Sequence, residues 1–251
     1  MMEEQEMLDL FWEIHSGNPR EGPGEFQSTK RAFDMLKDLP SSPKILDIGC
    51  GPGMQTIDLG RLADGMIIAV DNHPQFLNDL KREAQQNGLA DRIIPHLGDM
   101  CDLHFEAGTF DAIWSEGSIY IIGSEKGFQQ WRLLLKDKGY LVASELTWLK
   151  AEAPGEVREY FAKEYPGMQD IEGNLRIIQS VGYRNIDHFV LPGSAWWCYY
   201  SPVEEKLSRL RRKYAGHPEA LGVLEDHQRE IDIFRRYSEY YGFVFYIAQL
   251  G

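Results

Sequence analysis

One short segment, residues 45–56, constrains the fold of this chain more than any other. It has the sequence ILDIGCGPGMQT: an apolar run ending in an acid, a glycine at every second position, and a helix-like continuation. Glycine tolerates positive φ angles and has no Cβ to block the close approach of a ligand to the backbone. Exposed amides at the start of a helix favour an electronegative ligand group. The segment therefore predicts a parallel strand that turns sharply into a helix beside a bound ligand.

The rest of the chain alternates strand-like and helix-like segments around this turn. Strands are predicted at 45–48, 66–71, 92–97, 110–114, 140–147, 185–191 and 242–249. Helices are predicted at 3–16, 26–39, 54–63, 74–87, 124–136, 154–164, 172–181, 203–214 and 218–241. Such alternation implies an α/β fold with a parallel sheet and right-handed crossovers.

Acidic residues at the ends of the predicted strands indicate which ligand the glycine turn holds. Asp71 ends the second strand 20 residues after Gly51, about the separation at which an acid meets a ribose diol in a nucleoside site. Asp99 follows the third strand, and Ser115 with Glu116 follows the fourth. The carboxyl ends of parallel strands are where open α/β sheets bind ligands. The glycine spacing differs from the dinucleotide fingerprint, which places its third glycine three residues after the second.

This combination resembles the motifs of class I S-adenosylmethionine (SAM) dependent methyltransferases, over roughly residues 40 to 150. The resemblance implies SAM as the cofactor, with Asp99 accepting a hydrogen bond from the adenine amino group. It extends more weakly to uncharacterised bacterial small-molecule methyltransferases. The cofactor-binding residues that it implies are Asp47, Gly49, Cys50, Gly51, Gly53, Asp71, Asn72, Asp99, Met100 and Ser115. Ordinary structural roles stay open for three of the acids: helix capping for Asp47, a turn for Asp71, and a solvated loop for Asp99.

The same resemblance implies the overall architecture. We expect a Rossmann-like, seven-stranded, mostly parallel sheet whose last strand runs antiparallel between strands five and six. The chain is predicted to form a single domain, 1–251, with three parts: an N-terminal helical lid at 1–39, the cofactor-binding core at 40–150, and a helical, aromatic cap insertion at 193–241.

Catalytic residues are harder to identify, because methyl transfer from an activated sulfonium mainly needs alignment of the reactants. Glu116 and Tyr120 are the candidates, since both follow the fourth strand at the cofactor edge. Glu116 could instead orient the cofactor or cap the next segment. No cluster of residues has the spacing of a zinc site, so no metal is predicted.

The two additions to the core are candidates for enclosing the acceptor. Trp196, Trp197, Tyr199 and Tyr200 precede two predicted helices in an insertion too long for a hairpin. Residues 20–24 form a Gly-Pro-Gly connection between the two N-terminal helices. Each addition also has a purely structural interpretation: the aromatics could pack helices onto the body, and the connection could simply join two helices.

The composition and charge of the chain indicate which binding partners and compartment to expect. A formal net charge of −13 disfavours polyanions, because nucleic-acid affinity depends on neutralising phosphates. Three scattered cysteines and an acidic N-terminus predict a cytoplasmic protein without disulfides, and no apolar run is long enough to span a membrane. A homodimer is one expected state, because the insertion could be an oligomer surface.

The predicted function is therefore SAM-dependent methylation of a small-molecule acceptor. Two alternatives stay open. One is a non-catalytic SAM-binding sensor or assembly protein, and the other is a nicotinamide-dependent oxidoreductase, which the glycine spacing and Asp99 disfavour.

Overall fold

A twisted seven-stranded sheet organises residues 3–251, which are the residues described by the computed structural model. The strands are β1 (Lys44–Ile48), β2 (Met66–Asp71), β3 (Ile93–Leu97), β4 (Phe110–Glu116), β5 (Leu135–Trp148), β6 (Tyr183–Val190) and β7 (Tyr241–Leu250). The α-helices of the described residues are α1 (Glu4–His15), α2 (Phe26–Phe33), α3 (Met54–Leu62), α4 (Pro74–Gln86), α5 (Ser124–Trp131), α6 (Gly155–Glu164), α7 (Ile171–Ser180), α8 (Gly193–Lys213) and α9 (Pro218–Tyr237). Residues 1 and 2 of the predicted lid lie outside this description.

The strand order confirms the predicted topology. The order is β3-β2-β1-β4-β5-β7-β6, with β1 parallel to both β2 and β4. β7 runs antiparallel to both of its neighbours, β5 and β6. All the strands that precede the predicted ligand residues are parallel, so their carboxyl ends meet at one edge of the sheet.

The core lies in two layers, one on each face of the sheet. Neighbouring residues of one strand, such as Ile45 and Leu46, belong to different apolar clusters because side chains alternate across a strand. The larger cluster includes residues of α1, α8 and α9, so both predicted additions share the core of the main body. No helix within residues 3–251 combines the length and the apolar character that crossing a bilayer requires.

Several predicted boundaries were wrong: the helix predicted at 218–241 ends at Tyr237, and two other errors have clear local causes. α2 ends at Phe33 rather than at 39, because the chain turns there and buries Leu36 against the body. β5 begins at Leu135 rather than at 140, after a 3₁₀ turn that replaces the end of the predicted helix 124–136. The residues Lys136–Lys138 are polar, exposed and helix-compatible, and Lys138 has a φ of 59°. The start of β5 therefore could not be recognised from a hydrophobic pattern.

The insertion also differs from the prediction. α8 begins at Gly193, ten residues before the predicted helix, and it includes the aromatic cluster and Pro202. Proline lacks the N–H that continues a helix, so the sequence predicted that the helix begins after Pro202. The structure places Pro202 inside α8. The buried side chains of Trp196, Tyr200, Val203 and Leu207 recur at three- and four-residue intervals, which places one face of α8 on the core.

Candidate functional site

A cavity of about 370 Å³ lies at the carboxyl ends of the parallel strands. Its wall combines the glycine loop, the segments after β2, β3 and β4, the N-terminal segment and α8. The predicted site residues in this wall are Gly49, Cys50, Gly51, Asp71, Asn72, Asp99, Met100, Glu116 and Tyr120. Asp47, Gly53 and Ser115 lie outside the wall and support it from behind. The volume falls in the usual range for small-molecule sites.

The three glycines of the loop are needed for three different reasons. Their φ angles are 72° at Gly49, 54° at Gly51 and 94° at Gly53, all in the region that glycine adopts readily. A Cβ at Gly49 would overlap the side chain of Ser118, and one at Gly53 would overlap that of Leu80. A Cβ at Gly51 would meet only Glu21 Cβ, at 4.0 Å, so Gly51 presents bare backbone to the open cavity.

Asp71 stabilises the loop and also faces the cavity. Its Oδ2 accepts the Gly51 N–H at 2.8 Å, and its Oδ1 accepts the His73 N–H at 2.9 Å. The second hydrogen bond forms the turn that the sequence analysis kept as an alternative role of Asp71. Burial raises the pKa of Asp71, and the two backbone hydrogen bonds partly oppose that rise. Each carboxylate oxygen can accept a further bond, so both can still bind a ligand hydroxyl.

Asp99 and Met100 form the part of the wall that follows β3. Asp99 is exposed, and its Oδ1 accepts the Cys101 N–H at 2.8 Å in a local turn. The carbonyl of Met100 accepts the indole N–H of Trp131 at 3.2 Å, which fixes the backbone at this point. Asp99 lies in the cavity wall, so a solvated turn and a ligand contact are compatible here.

Asp47 is fully buried behind the loop. Its Oδ2 accepts the Thr56 hydroxyl at 2.6 Å, and its Oδ1 has no hydrogen-bond partner among the described residues. Burial raises the pKa of Asp47 to about 7. The side chain does not cap α3, whose N-cap is Gly53. The arrangement leaves one carboxylate oxygen available to a donor that the chain itself does not supply.

Ser115 shapes the turn after β4. Ser118 Oγ donates to the carbonyl of Ile48 at 2.9 Å, so the 2.7 Å contact between Ser115 Oγ and Ser118 Oγ uses the proton of Ser115. These two bonds tie the end of β4 to the end of β1, where the glycine loop begins.

Glu116 is the centre of a buried ion pair. Its Oε2 accepts Arg20 Nη2 at 2.5 Å, while its Oε1 accepts Thr29 Oγ1 at 2.8 Å and Trp114 Nε1 at 2.9 Å. The side chains of Arg20 and Glu116 are only 4% and 2% exposed. Arg20 Nη1 is buried without a partner among the described residues, and Arg20 lines the cavity. The pair joins the N-terminal segment to the core.

Tyr120 stands at the rim of the cavity, on the 3₁₀ turn Ile119–Ile121. Its ring contacts Tyr165 edge-on, with the ring centroids 5.9 Å apart. Burial raises the pKa of its phenol, and the nearby acids Glu230 and Glu145 raise it further. Tyr120 therefore stays protonated at neutral pH.

The predicted cap aromatics divide between two roles. Tyr199 lines the cavity. Trp196 stacks on Phe234 of α9 at 4.2 Å, and Tyr200 contacts the same ring at 5.6 Å, so both belong to the core. Trp197 lies under the guanidinium of Arg235, 5.0 Å from its ring centre. Only one of the four aromatics thus lines the site.

Among the cavity residues that the sequence analysis did not predict, three have acidic or basic side chains: His15, Arg20 and Glu21. They lie in or beside a turn-rich segment without a hydrophobic pattern. The only sequence signal for them is the presence of isolated basic and acidic residues between glycines. Within residues 3–251, no three His, Cys, Asp or Glu side chains are grouped as a metal site requires.

Comparison with known proteins identifies the core. Residues 45–139 match the family described as "Methyltransferase domain". The sterol 24-C-methyltransferase of Debaryomyces hansenii is 23% identical over 207 residues, covering 72% of this chain and 54% of that protein. The sterol 24-C-methyltransferase erg6 of Aspergillus fumigatus matches over only 29% of its own length. The chain thus spans about half or less of these curated relatives.

Solved structures share the fold over nearly the whole chain. A SAM-dependent methyltransferase from Geobacter sulfurreducens, in complex with S-adenosyl-L-homocysteine, has a TM-score of 0.82 at 18% identity, covering 97% of this chain and 98% of that one. The [4+2]-cyclase SpnF has a TM-score of 0.75 at 16% identity, covering 97% and 92%.

Proposed function

We propose that the protein transfers a methyl group from SAM to a small-molecule acceptor, because residues 45–139 match the family described as "Methyltransferase domain". One observation carries the proposal: a single cavity joins the open face of Gly51, the carboxylates of Asp71 and Asp99, and the unpaired Nη1 of Arg20. These groups match the parts of a nucleoside that carries an amino-acid tail.

Each group fits one part of the cofactor. Asp71 would accept the ribose hydroxyls, and Asp99 with the Met100 segment would face the adenine. Arg20 Nη1 would donate to the carboxylate of the methionine part, and the free oxygen of Asp47, which lies behind the cavity wall, would accept from its ammonium through water. The Gly51 backbone leaves the room that the cofactor needs. An arginine and an acid with unused buried atoms are otherwise costly to keep.

The cofactor supplies an activated methyl group, so the protein has to hold the reactants in line and exclude water. Such alignment can supply about 7–11 kcal/mol. Glu116 is almost fully buried and accepts hydrogen bonds from three donors, so its proposed role is to position Arg20 and the N-terminal segment. Tyr120 and Tyr199 form the wall on the acceptor side, where Tyr120 can donate a hydrogen bond.

Other features support a small acceptor inside a reducing compartment. The cavity is the size of a small-molecule site, and the negative net charge disfavours nucleic acids. The three cysteines, all within the described residues, are free, which suits the cytoplasm. A homodimer stays a prediction.

Calorimetry with SAM, adenosylhomocysteine and NAD tests the cofactor assignment. We expect micromolar binding of the first two and none of NAD; NAD binding without a SAM signal would refute it. Asp71→Asn should weaken SAM binding about tenfold or more, because charge-assisted hydrogen bonds contribute about 1.5–3 kcal/mol. Asn also retains one acceptor for the loop. Asp102→Asn, an exposed acid outside the cavity wall, is the matched control.

A second candidate is a protein that binds SAM without transferring the methyl group. The specific observation in its favour is the similar fold of SpnF, which is described as a cyclase, since one fold can host different chemistries. Formation of adenosylhomocysteine from SAM in the presence of acceptor mixtures separates the two. Binding of SAM without any turnover across broad mixtures would favour this second candidate.

A further inference from the structure

A chain of three side chains closes one side of the cavity. Glu21 Oε2 lies 2.5 Å from His15 Nδ1, and His15 Nε2 lies 3.3 Å from His227 Nε2. His227 Nδ1 lies 2.8 Å from the carbonyl oxygen of Val223. His15 and Glu21 line the cavity, while His227 is in α9 behind them.

The directions of these hydrogen bonds follow from the last one. A carbonyl oxygen only accepts, so His227 Nδ1 donates to Val223, and a neutral His227 then has a lone pair on Nε2. His15 Nε2 must therefore donate to His227. The remaining nitrogen, His15 Nδ1, shares one proton with Glu21 Oε2. The pair of His15 and Glu21 thus holds one shared proton and the proton on His15 Nε2, and it has no net charge.

The second oxygen of Glu21 has no such partner. Glu21 Oε1 is buried without a hydrogen bond to any described residue. The Glu21 side chain starts beside the glycine loop, since its Cβ lies 4.0 Å from the position of a Cβ on Gly51. A buried carboxylate oxygen without a donor is unfavourable, so the cavity is prepared for a ligand that brings an N–H or O–H group to this point.

The surrounding charges favour a nitrogen base over an alcohol or an acid. Arg20 is the only lysine or arginine in the described cavity wall, and its charge faces Glu116. Behind Tyr199 and Tyr120 lies a third acid, Glu230, whose Oε1 accepts the hydroxyl of Tyr200 at 2.9 Å. Aromatic faces attract cations, and an anionic acceptor would find no unpaired cation in the described wall, because Arg20 is paired with Glu116.

We infer that Glu21 binds the reacting nitrogen of the acceptor, and that the acceptor is therefore an amine; this inference rests on the proposed methyl transfer. The neutral amine forms the new C–N bond with its lone pair, while the methyl–sulfur bond breaks and its electron pair stays on sulfur. Positive charge moves from sulfur to nitrogen. The N–H of the developing ammonium donates to Glu21 Oε1, so the carboxylate stabilises charge where it appears during the reaction.

Matched probes test the inference without knowledge of the natural acceptor. The binding of 2-phenylethylamine, 2-phenylethanol and phenylacetate is measured by calorimetry on the protein saturated with adenosylhomocysteine, together with the shorter series butylamine, butanol and butyrate. We expect the amine of at least one series to bind about tenfold more tightly than its alcohol and its acid. Equal binding within each series, or no measurable binding by either amine, would overturn the inference even if adenosylhomocysteine binds normally.

Two variants assign the preference to Glu21. Glu21→Gln should remove the preference for amines while leaving the dissociation constant of adenosylhomocysteine unchanged. Glu25→Gln, an acid of the same segment that bonds to Ser194 outside the cavity wall, should keep the preference. An amine preference that survives in Glu21→Gln would refute the role of Glu21, and a large loss of adenosylhomocysteine affinity would place Glu21 in the cofactor site instead. Failure of the wild type to bind SAM or adenosylhomocysteine would contradict the proposed function itself.

Discussion

Replacing Arg20 by methionine should destabilise the protein strongly. The guanidinium and the Glu116 carboxylate are almost fully buried, and Gly24 leaves room for the guanidinium where a Cβ would overlap it. Removing one partner of a buried ion pair leaves an uncompensated charge and costs about 3–5 kcal/mol. We therefore expect Arg20→Met to lower the free energy of unfolding by that amount, measured by denaturant titration at neutral pH.

A double variant separates the charge from the packing. In Arg20→Met with Glu116→Gln, the glutamine oxygen can still accept from Thr29 and Trp114, and its neutral amide replaces the oxygen that faced Arg20. Most of the lost stability should return, because well-packed neutral groups can replace a buried pair at little cost. SAM affinity should not return with it, because Arg20 Nη1 is the proposed donor to the methionine carboxylate.

The size of the stability loss distinguishes a buried ion pair from an exposed one. An exposed ion pair contributes only about 0–1 kcal/mol. If Arg20→Met costs less than about 1 kcal/mol, the pair does not carry the stability that its burial implies. A stable double variant with normal SAM affinity would remove Arg20 from the cofactor site while keeping its structural role.

Two further predictions follow from individual positions. Gly51→Val should fail to bind SAM in calorimetry, because a branched side chain fills the open cavity; since valine also resists the positive φ, the variant should fold with reduced stability. Ser41→Val at an exposed position should bind normally. Binding by both variants would exclude this turn as the site. Glu145, 1% exposed, has its pKa raised from 4.5 to about 7 by burial, so the folded wild type should lose stability as the pH rises through that interval, by about 3 kcal/mol in total. Glu145→Gln should abolish this loss, seen as a stability advantage over wild type that grows between about pH 4.5 and about pH 7 and then stays constant. An identical pH dependence of the two proteins would contradict the burial argument.

Sequence patterns predicted the parts of the fold that repeat simple physical rules. Apolar runs and turn residues are local signals, and they predicted the alternation of strands and helices; the place of β7 between β5 and β6 was implied by the family resemblance and is confirmed. The boundaries at Phe33 and Leu135 were missed, since the first is set by packing of the following turn and the second lies in a polar stretch. The start of α8 was missed because Pro202 was interpreted as a helix boundary. α8 loses one backbone donor at Pro202, and its continuous buried face compensates for that loss.

The site could be predicted only where its residues lie close to the predicted strands in the sequence. The cofactor side came from residues next to the strands, such as Asp71 and Asp99. Arg20 and Glu21 could not be identified from sequence, because their role depends on contacts with Glu116 and His15 that the fold brings together. Asp47 illustrates the intermediate case: its position was evident, whereas its free oxygen behind the loop was not.

The two additions act as one structural unit over the cavity. Lys206 of α8 donates to the carbonyls of Ile14 and Ser16 at the end of α1, and the Gly24 N–H donates to Ala195 at 3.1 Å. The family match ends at residue 139 and includes neither addition. His15, Glu21 and Tyr199 lie in these additions, whereas Tyr120, on the same proposed acceptor side, lies within the family match. Most of the proposed acceptor side is therefore built by parts of the chain outside the family match, and Glu21 with the aromatic rings of Tyr120 and Tyr199 supports the proposed amine acceptor.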